Sequence, residues 1–163
     1  MKHKILTYDP SLKPYEKDFD LRAENYKNKK AELLAPGQTL ADFANGHMFY
    51  GIRKVEGGWL YREWAPAAEK VYLTGDFCGW DRHAHPMNRL DNGNFELFIP
   101  GEDTLSNGQR VMTVVVHNGE ELDRIPLYSN YVVQDPNTIA WDAVIYDPQE
   151  EFKWTDSRFI PKK

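Results

Sequence analysis

Cysteine is nearly missing from this sequence. Its 163 residues include a single one, Cys78, so no intrachain disulfide can form and a disulfide-stapled scaffold is excluded. A lone thiol without histidine and asparagine partners in view reads as a small packing residue rather than a nucleophile. Long apolar runs are absent too. The longest apolar-rich stretch, Val111 to Val116, falls far short of the roughly 20 residues of a membrane-spanning helix. The opening MKHKILTYDP is basic but has no apolar core of signal-peptide length. Basic residues are outnumbered, 20 against 25 acids for a net charge of −5, which argues against a face built for phosphates. There is no internal repeat and no low-complexity tract. The expectation is a soluble protein of a reducing compartment, the cytoplasm, with neither nucleic acid nor membrane among its partners.

What is present is an ordinary globular composition with one excess. Hydrophobic residues make up 41% and charged ones 28%, which excludes the apolar-poor signature of disorder. The length suits one domain with room for an appendage, and such a chain buries roughly 70% of its unfolded surface without covalent staples. The excess is aromatic, with 9 Tyr, 8 Phe and 5 Trp. That content fits either a strand-rich core or a surface that stacks on flat ligands.

The chain divides into unlike parts. Residues 1 to 46 read as helical. From Ser11 to Leu34 the residues Leu12, Tyr15, Phe19, Ala23, Tyr26 and Leu33 recur mostly at three- and four-residue spacing, which lines them along one stripe of a helix. Pro14 is tolerable only in a first turn, so the spacing predicts a start near Leu12 or Lys13. Pro36-Gly37 stops that helix. Thr39 and Asp42 then read as a capping box opening a short helix that ends at Gly46. From His47 the period changes to two. His47–Lys54, Gly58–Trp64, Lys70–Phe77, Asn94–Ile99, Gln109–His117, Glu121–Ile125 and Ile139–Tyr146 read as strands separated by turn sequences such as Asp91-Asn92-Gly93 and His117-Asn118-Gly119. That pattern over residues 47–147 predicts a mainly β chain, an immunoglobulin-like β-sandwich preceded by helices. Within one strand Trp59 and Trp64 fall on opposite faces, so only one of them belongs to the core. Residues 148–163 carry Phe152, Trp154 and Phe159 among charges with no period of either kind. A tail of that kind predicts a linker toward another domain.

Candidate chemistry is sparse. His83 and His85 stand two apart in a turn-rich stretch, but no cysteine or acid at zinc spacing accompanies them. No metal and no cofactor is expected.

Some segments are more specific. Arg62-Glu63-Trp64-Ala65-Pro66, followed by a strand and Gly75-Asp76-Phe77-Cys78-Gly79-Trp80, resembles the N-terminal module of 1,4-α-glucan (glycogen) branching enzymes, a family-48 carbohydrate-binding module. HPMNRLDNGNFELFIPG, residues 85–101, is similar to the segment that follows in that family. Upstream, Asp9-Pro10 with Pro14-Tyr15 and Asp18-Phe19 look like the helical extension of the eukaryotic-type enzymes. Downstream, Tyr131 to Asp135, Trp141 and Tyr146-Asp147-Pro148 fall in family order. The resemblance covers nearly the whole chain.

It implies an immunoglobulin-like sandwich whose chemistry lies elsewhere. In branching enzymes an α-amylase-type barrel cleaves an α-1,4 bond and re-forms it as α-1,6, using two carboxyl groups about 5–5.5 Å apart. A barrel needs about 250 residues, so no catalytic residue is expected in this chain. The implied role is to hold α-glucan or to position the barrel, its own catalytic domain. A free-standing glycogen-binding module and a purely structural interaction domain are the alternatives. The resemblance marks Trp80 as the candidate glucan platform, and Asn94, Asn137 and Trp141 are further candidate contacts. Trp80 is equally readable as an anchor in a core or domain interface, and Trp141 alternates with Ala143 and Ile145 as a core residue would. Covering about 100 Å² of an indole face contributes ~2.5 kcal/mol, below the ~4.1 kcal/mol of millimolar binding, so one platform is insufficient. Glycogen-sensing relatives carry a further lysine and a second tryptophan that Val111 to Leu122 lacks. Cys78 stands where asparagine is common, removing an amide from the turn. Tyr15, Phe19, Trp154 and Phe159 are the candidate docking residues toward the barrel.

Overall fold

The structure, a computed structural model, describes residues 3–150 and 152–160; Glu151 and the outermost residues of the two terminal segments lie outside these. The chain separates into two units, Met1–Gly46 and His47–Lys163.

The first unit is helical. A short helix α1 (Ile5–Tyr8) leads into a 3₁₀ segment over Pro10–Tyr15, and the long helix α2 covers Glu16–Leu33. Asp9 caps the 3₁₀ segment, its Oδ1 accepting from the Ser11 N–H at 3.0 Å. The α-helix thus begins at Glu16, later than the apolar spacing predicts. Pro14 brings no N–H and disfavours the α conformation at Lys13, so the tighter turn persists until Tyr15. Glu16 and Asp18 in the first turn and Lys30 in the last suit the helix dipole. No residue of α2 is buried. The capping box is present: Asp42 N–H donates to Thr39 Oγ1 at 3.3 Å and Thr39 N–H to Asp42 Oδ2 at 2.7 Å. The helix it opens, α3 (Leu40–Phe43), stops short of Gly46 because Ala44 leaves helical geometry, with ψ 51°.

Gly46 instead begins another helical turn, α4 (Gly46–Phe49), over residues that alternation assigns to a strand. Contacts distant in sequence override the local period there. The Arg62 guanidinium lies 4.3 Å from the centre of the Phe49 ring, and Tyr50 Oη–H donates to Asn94 Oδ1 at 2.8 Å.

Ten strands follow. They are β1 (Gly51–Val55), β2 (Gly58–Trp64), β3 (Lys70–Gly75), β4 (His85–Pro86), β5 (Asn88–Arg89), β6 (Asn94–Pro100), β7 (Arg110–His117), β8 (Glu120–Arg124), β9 (Tyr131–Gln134) and β10 (Trp141–Val144). One sheet runs β1-β2-β6-β5; the other runs β4-β3-β7-β10-β9, with β8 also paired to β7. All pairings are antiparallel. The mainly β sandwich with its helical prefix is the predicted class. Strands β4, β5 and β9 were not expected: β4 and β5 are two residues long and carry no readable period, and β9 is an edge strand of four residues with no buried face to impose alternation. β3 ends at Gly75 rather than Phe77 because Asp76–Cys78 closes into a 3₁₀ turn.

The two inner faces meet over Trp59, Tyr61, Phe95 and Ile99 from one sheet and Val71, Leu73, Val111, Val115 and Ala143 from the other. Trp59 is 3% exposed and Trp64 52%, so β2 buries one indole and presents the other, as period two requires. Trp141 is exposed despite sharing its phase with Ala143 and Ile145, which corrects the core reading. It opens β10 opposite Gln134 of the edge strand β9, and the pairing of β10 with β7 ends at Ala143. Beyond that point the period no longer points into a packed interior.

Candidate functional site

The turn after β3 sets up the first cluster. Gly79 and Trp80 both take left-handed conformations, φ 62° at each, a geometry natural for glycine and unusual for tryptophan. Backbone bonds hold it: Trp80 N–H donates to Gly75 O at 2.9 Å and Gly79 N–H to Asp76 O at 3.3 Å. Cys78 is half-buried, its thiol 3.4 Å from the Gly75 carbonyl, a weak bond. The indole N–H of Trp80 donates to Asp76 Oδ1 at 2.9 Å, and Asp76 Oδ2 accepts the Arg110 backbone N–H at 2.7 Å. The Arg110 guanidinium in turn reaches Asp142 at 3.3 Å and Asp135 at 3.9 Å. Asp135 Oδ1 accepts the N–H groups of Thr138 and Asn137, which, Thr138 first, hold its carboxyl below the usual aspartate range. Arg110 therefore links the Trp80 turn to the β9–β10 hairpin that carries Asn137 and Trp141.

Asn94 is elsewhere. It opens β6 in the opposite sheet, pairing with Trp64. Trp64 is the residue that motif reasoning left without a role. Its exposed indole donates Nε1–H to the Asn92 carbonyl at 3.0 Å. Asn94 beside it has its Oδ1 occupied by Tyr50, which leaves the amide N–H groups for a ligand. The supporting loops are tightly tied. Ala65 N–H donates to Gly93 O at 2.9 Å, and Arg89 donates to the Pro66 and Ala68 carbonyls. Gly93 has φ +76°, and a Cβ there would stand 2.5 Å from Pro66 Cα, so only glycine lets the two loops meet. To one side lies an open depression bordered by Arg89 and Asn92, about 760 Å³. Trp64 itself walls a second, mostly apolar groove of about 400 Å³, with Ala65–Ala68, Leu122, Ile125 and Leu127. The available signal was the parity of β2: a tryptophan on the outward face of a strand is large apolar surface left in water.

The histidines are engaged otherwise. His83 Nε2 lies 2.6 Å from Glu121 Oε1, and the His85 ring packs on Phe77. Among the described residues no three His, Cys, Asp or Glu side chains gather as metal ligands, and no helix is long and apolar enough to cross a membrane.

The sequence model of carbohydrate-binding module 48, also described as the isoamylase N-terminal domain, matches residues 49–137. The chain belongs to this family. It is 34% identical over 166 residues to the 1,4-alpha-glucan-branching enzyme of Equus caballus, a match covering 98% of this chain and 24% of that protein. It is 33% identical over 164 residues to the 1,4-alpha-glucan-branching enzyme 2-2, chloroplastic/amyloplastic, of Arabidopsis thaliana, covering 98% of this chain and 20% of that one. The chain thus spans a fifth to a quarter of these relatives' length. Among solved structures, pullulanase type I from Bacillus subtilis, complexed with maltose, superposes with a TM-score of 0.50 at 18% identity, over 83% of this chain and 16% of that one. At that identity the likeness speaks for the fold.

In this carbohydrate-binding module the four expected glucan contacts thus fall in two places: Trp80, Asn137 and Trp141 around Arg110, and Asn94 beside Trp64. The four expected docking residues differ in setting. Tyr15 is exposed, whereas Phe19 is half-buried with its ring 5.5 Å from that of His3. Trp154 is 78% and Phe159 74% exposed.

Proposed function

We propose that this module is the non-catalytic, glucan-holding part of a 1,4-α-glucan branching enzyme, and that its principal sugar platform is Trp64. The parent activity is the transfer of α-1,4-glucan segments to α-1,6 positions, performed by a catalytic barrel that this chain does not supply. The observation that carries the reading is the exposed Trp64 indole. Its N–H is satisfied by Asn92, so the ring face is free for the C–H face of a glucose unit while the ring itself stays fixed. A covered indole face contributes ~2.5 kcal/mol. Donors such as the Asn94 amide add about 0.5–1.5 kcal/mol each, which brings the sum to millimolar strength. Trp80, Asn137 and Trp141 form a second, separate contact for a longer chain. Tyr15 and Phe19 of the helical unit and, separately, Trp154 and Phe159 of the tail are docking residues toward the barrel; exposed ring surface supports this for all but Phe19. A cytoplasmic setting is part of the same proposal.

The test is affinity electrophoresis in soluble glycogen. The wild-type module is retarded, Trp64→Ala migrates as it would without glycogen, and Trp80→Ala loses only part of the retardation. Unchanged retardation of Trp64→Ala removes the platform. Free migration of the wild type removes glucan holding and leaves a structural domain.

A further inference from the structure

A carboxylate is buried beneath this platform. Glu63 is 7% exposed, on the inward face of β2 between the two sheets. A charge there is costly unless its oxygens are fully engaged. They are: Oε1 accepts the Trp64 N–H at 3.2 Å, and Oε2 accepts the Tyr61 hydroxyl at 2.6 Å and the Leu127 N–H at 3.0 Å. Tyr61 Oη lies 2.5 Å from Thr113 Oγ1. Because the single phenolic proton goes to Glu63, Thr113 donates to Tyr61, giving a chain from β7 through β2 to the carboxylate. Burial, and then the neighbouring Glu63, push the Tyr61 phenol well above the ordinary tyrosine range, so that proton stays in place.

The groups at the ends of this chain are not arbitrary. Trp64 and Leu127 both wall the 400 Å³ groove, and Glu63 itself lines it. The loop that carries Leu127 is also held on either side of it, by Ser129 Oγ–H donating to Pro126 O at 2.7 Å and by Tyr128, φ 52°, whose ring stacks on Tyr50 at 6.4 Å, but only the Glu63 bond ties the Leu127 N–H itself to β2.

We propose that Glu63 is a positioning residue for glucan, its buried carboxylate holding the Trp64 backbone and the Leu127 wall at one fixed separation. This rests on the reading of Trp64 as the sugar platform. Three donors converge on the carboxylate, and only an acceptor-only group satisfies all of them. Glutamine has the same shape but turns an N–H₂ toward either Trp64 N–H or the Tyr61 and Leu127 donors. Glu63→Gln therefore loosens one wall of the groove while the apolar core stays intact.

The experiment compares Glu63→Gln, Thr113→Val, Trp64→Ala and the Glu63→Gln/Trp64→Ala double variant, using glycogen affinity electrophoresis, thermal unfolding and exchange of the Leu127 and Trp64 amide protons by NMR. Thr113→Val breaks the same chain at its far end and serves as the stability control. The expected result is about tenfold weaker glycogen binding for Glu63→Gln, with faster exchange at Leu127 or Trp64. Thr113→Val lowers the unfolding midpoint yet binds nearly as wild type. In the Trp64→Ala background, where retardation is already lost, Glu63→Gln still speeds amide exchange at Leu127 or at residue 64. If Trp64→Ala abolishes binding but Glu63→Gln and Thr113→Val weaken it equally or not at all, positioning by Glu63 is overturned and the platform stands. If Trp64→Ala binds normally, the platform itself is wrong. Should Glu63→Gln fail to fold, Glu63→Asp, which keeps an acceptor-only group on a shorter arm, replaces it. Folded Glu63→Asp binding as tightly as wild type, with unchanged exchange at both amides, also overturns the proposal.

Discussion

Trp80 and Asp76 are joined side chain to side chain: the indole N–H donates to Oδ1 at 2.9 Å, across a turn that gives Trp80 a left-handed backbone. The other oxygen of the same carboxylate takes the Arg110 backbone N–H at 2.7 Å. Asp76 is thus a support shared by the tryptophan and the first residue of β7. Asp76→Ala leaves both donors to solvent and should lower stability by about 1–2 kcal/mol in urea unfolding. Asp76→Asn retains one acceptor and should cost less. A loss for Asp76→Ala within experimental error would mean that the turn is held by its backbone bonds alone.

Much of this arrangement was readable beforehand, and the exceptions have a common cause. Alternation located β2 at Gly58–Trp64 to the residue, because one face of that strand is buried along its length. The Asn-Gly turns marked where β5, β6, β7 and β8 are separated. The capping box at Thr39 is a local device and was legible as such. Failures arise where distant residues decide. His47–Phe49 is helical because Arg62 and Asn94 hold Phe49 and Tyr50. Trp141 lies in water because the neighbouring strand ends, which no period records. Asn94 and Trp80 are joined by a motif in sequence, yet they open and follow strands in opposite sheets. The buried role of Glu63 depends on Thr113 and Leu127, both more than forty residues away along the chain.

Acid should weaken the clasp between the segment after Trp80 and strand β8. Glu121 accepts from Arg82 at 2.8 Å and lies 2.6 Å from His83. These partners, Arg82 first, hold its carboxyl below the usual glutamate range. A carboxyl whose folded pKa is depressed contributes stability above its unfolded pKa, and that contribution is lost as pH falls through the folded value. Thermal unfolding from neutral pH downward should therefore show wild type losing stability more steeply than Glu121→Gln below the usual glutamate range, the two converging in strong acid. Asp135 follows the same sign, through its bonds to Thr138 and Asn137. Parallel curves for wild type and Glu121→Gln would show the clasp to be energetically silent.

The tail aromatics should be dispensable to the sandwich. Phe152 and Trp154 touch edge to face at 5.0 Å and are otherwise in water. Replacing both by alanine should change stability by less than about 0.5 kcal/mol, as for surface positions generally. Trp154 fluorescence should be quenched by acrylamide as freely as a small indole. A loss above about 2 kcal/mol would mean that the tail packs on this unit in solution, and would remove Trp154 from the docking residues proposed above.

Two adjacent glycines give the sharpest check on the sheet register, since each excludes a side chain for a different reason. Gly57 has φ +79° with nothing within 4 Å of an added Cβ, so Gly57→Ala meets only conformational strain, about 1–2 kcal/mol. Gly58 opens β2 opposite Pro100, and an added Cβ would stand 2.2 Å from the Ile99 carbonyl oxygen and 3.1 Å from the Phe98 ring. The obstacle is backbone, which cannot swing away as a side chain can. Gly58→Ala should therefore cost about 3 kcal/mol or more, the upper end for overpacked positions. It should also shift the amide resonances of β6 around Ile99, which Gly57→Ala leaves in place. Equal losses at the two positions, with β6 undisturbed, would mean that β2 yields at its end rather than clashing, and that the β2–β6 register is softer than its continuous pairing from Gly58 to Trp64 implies.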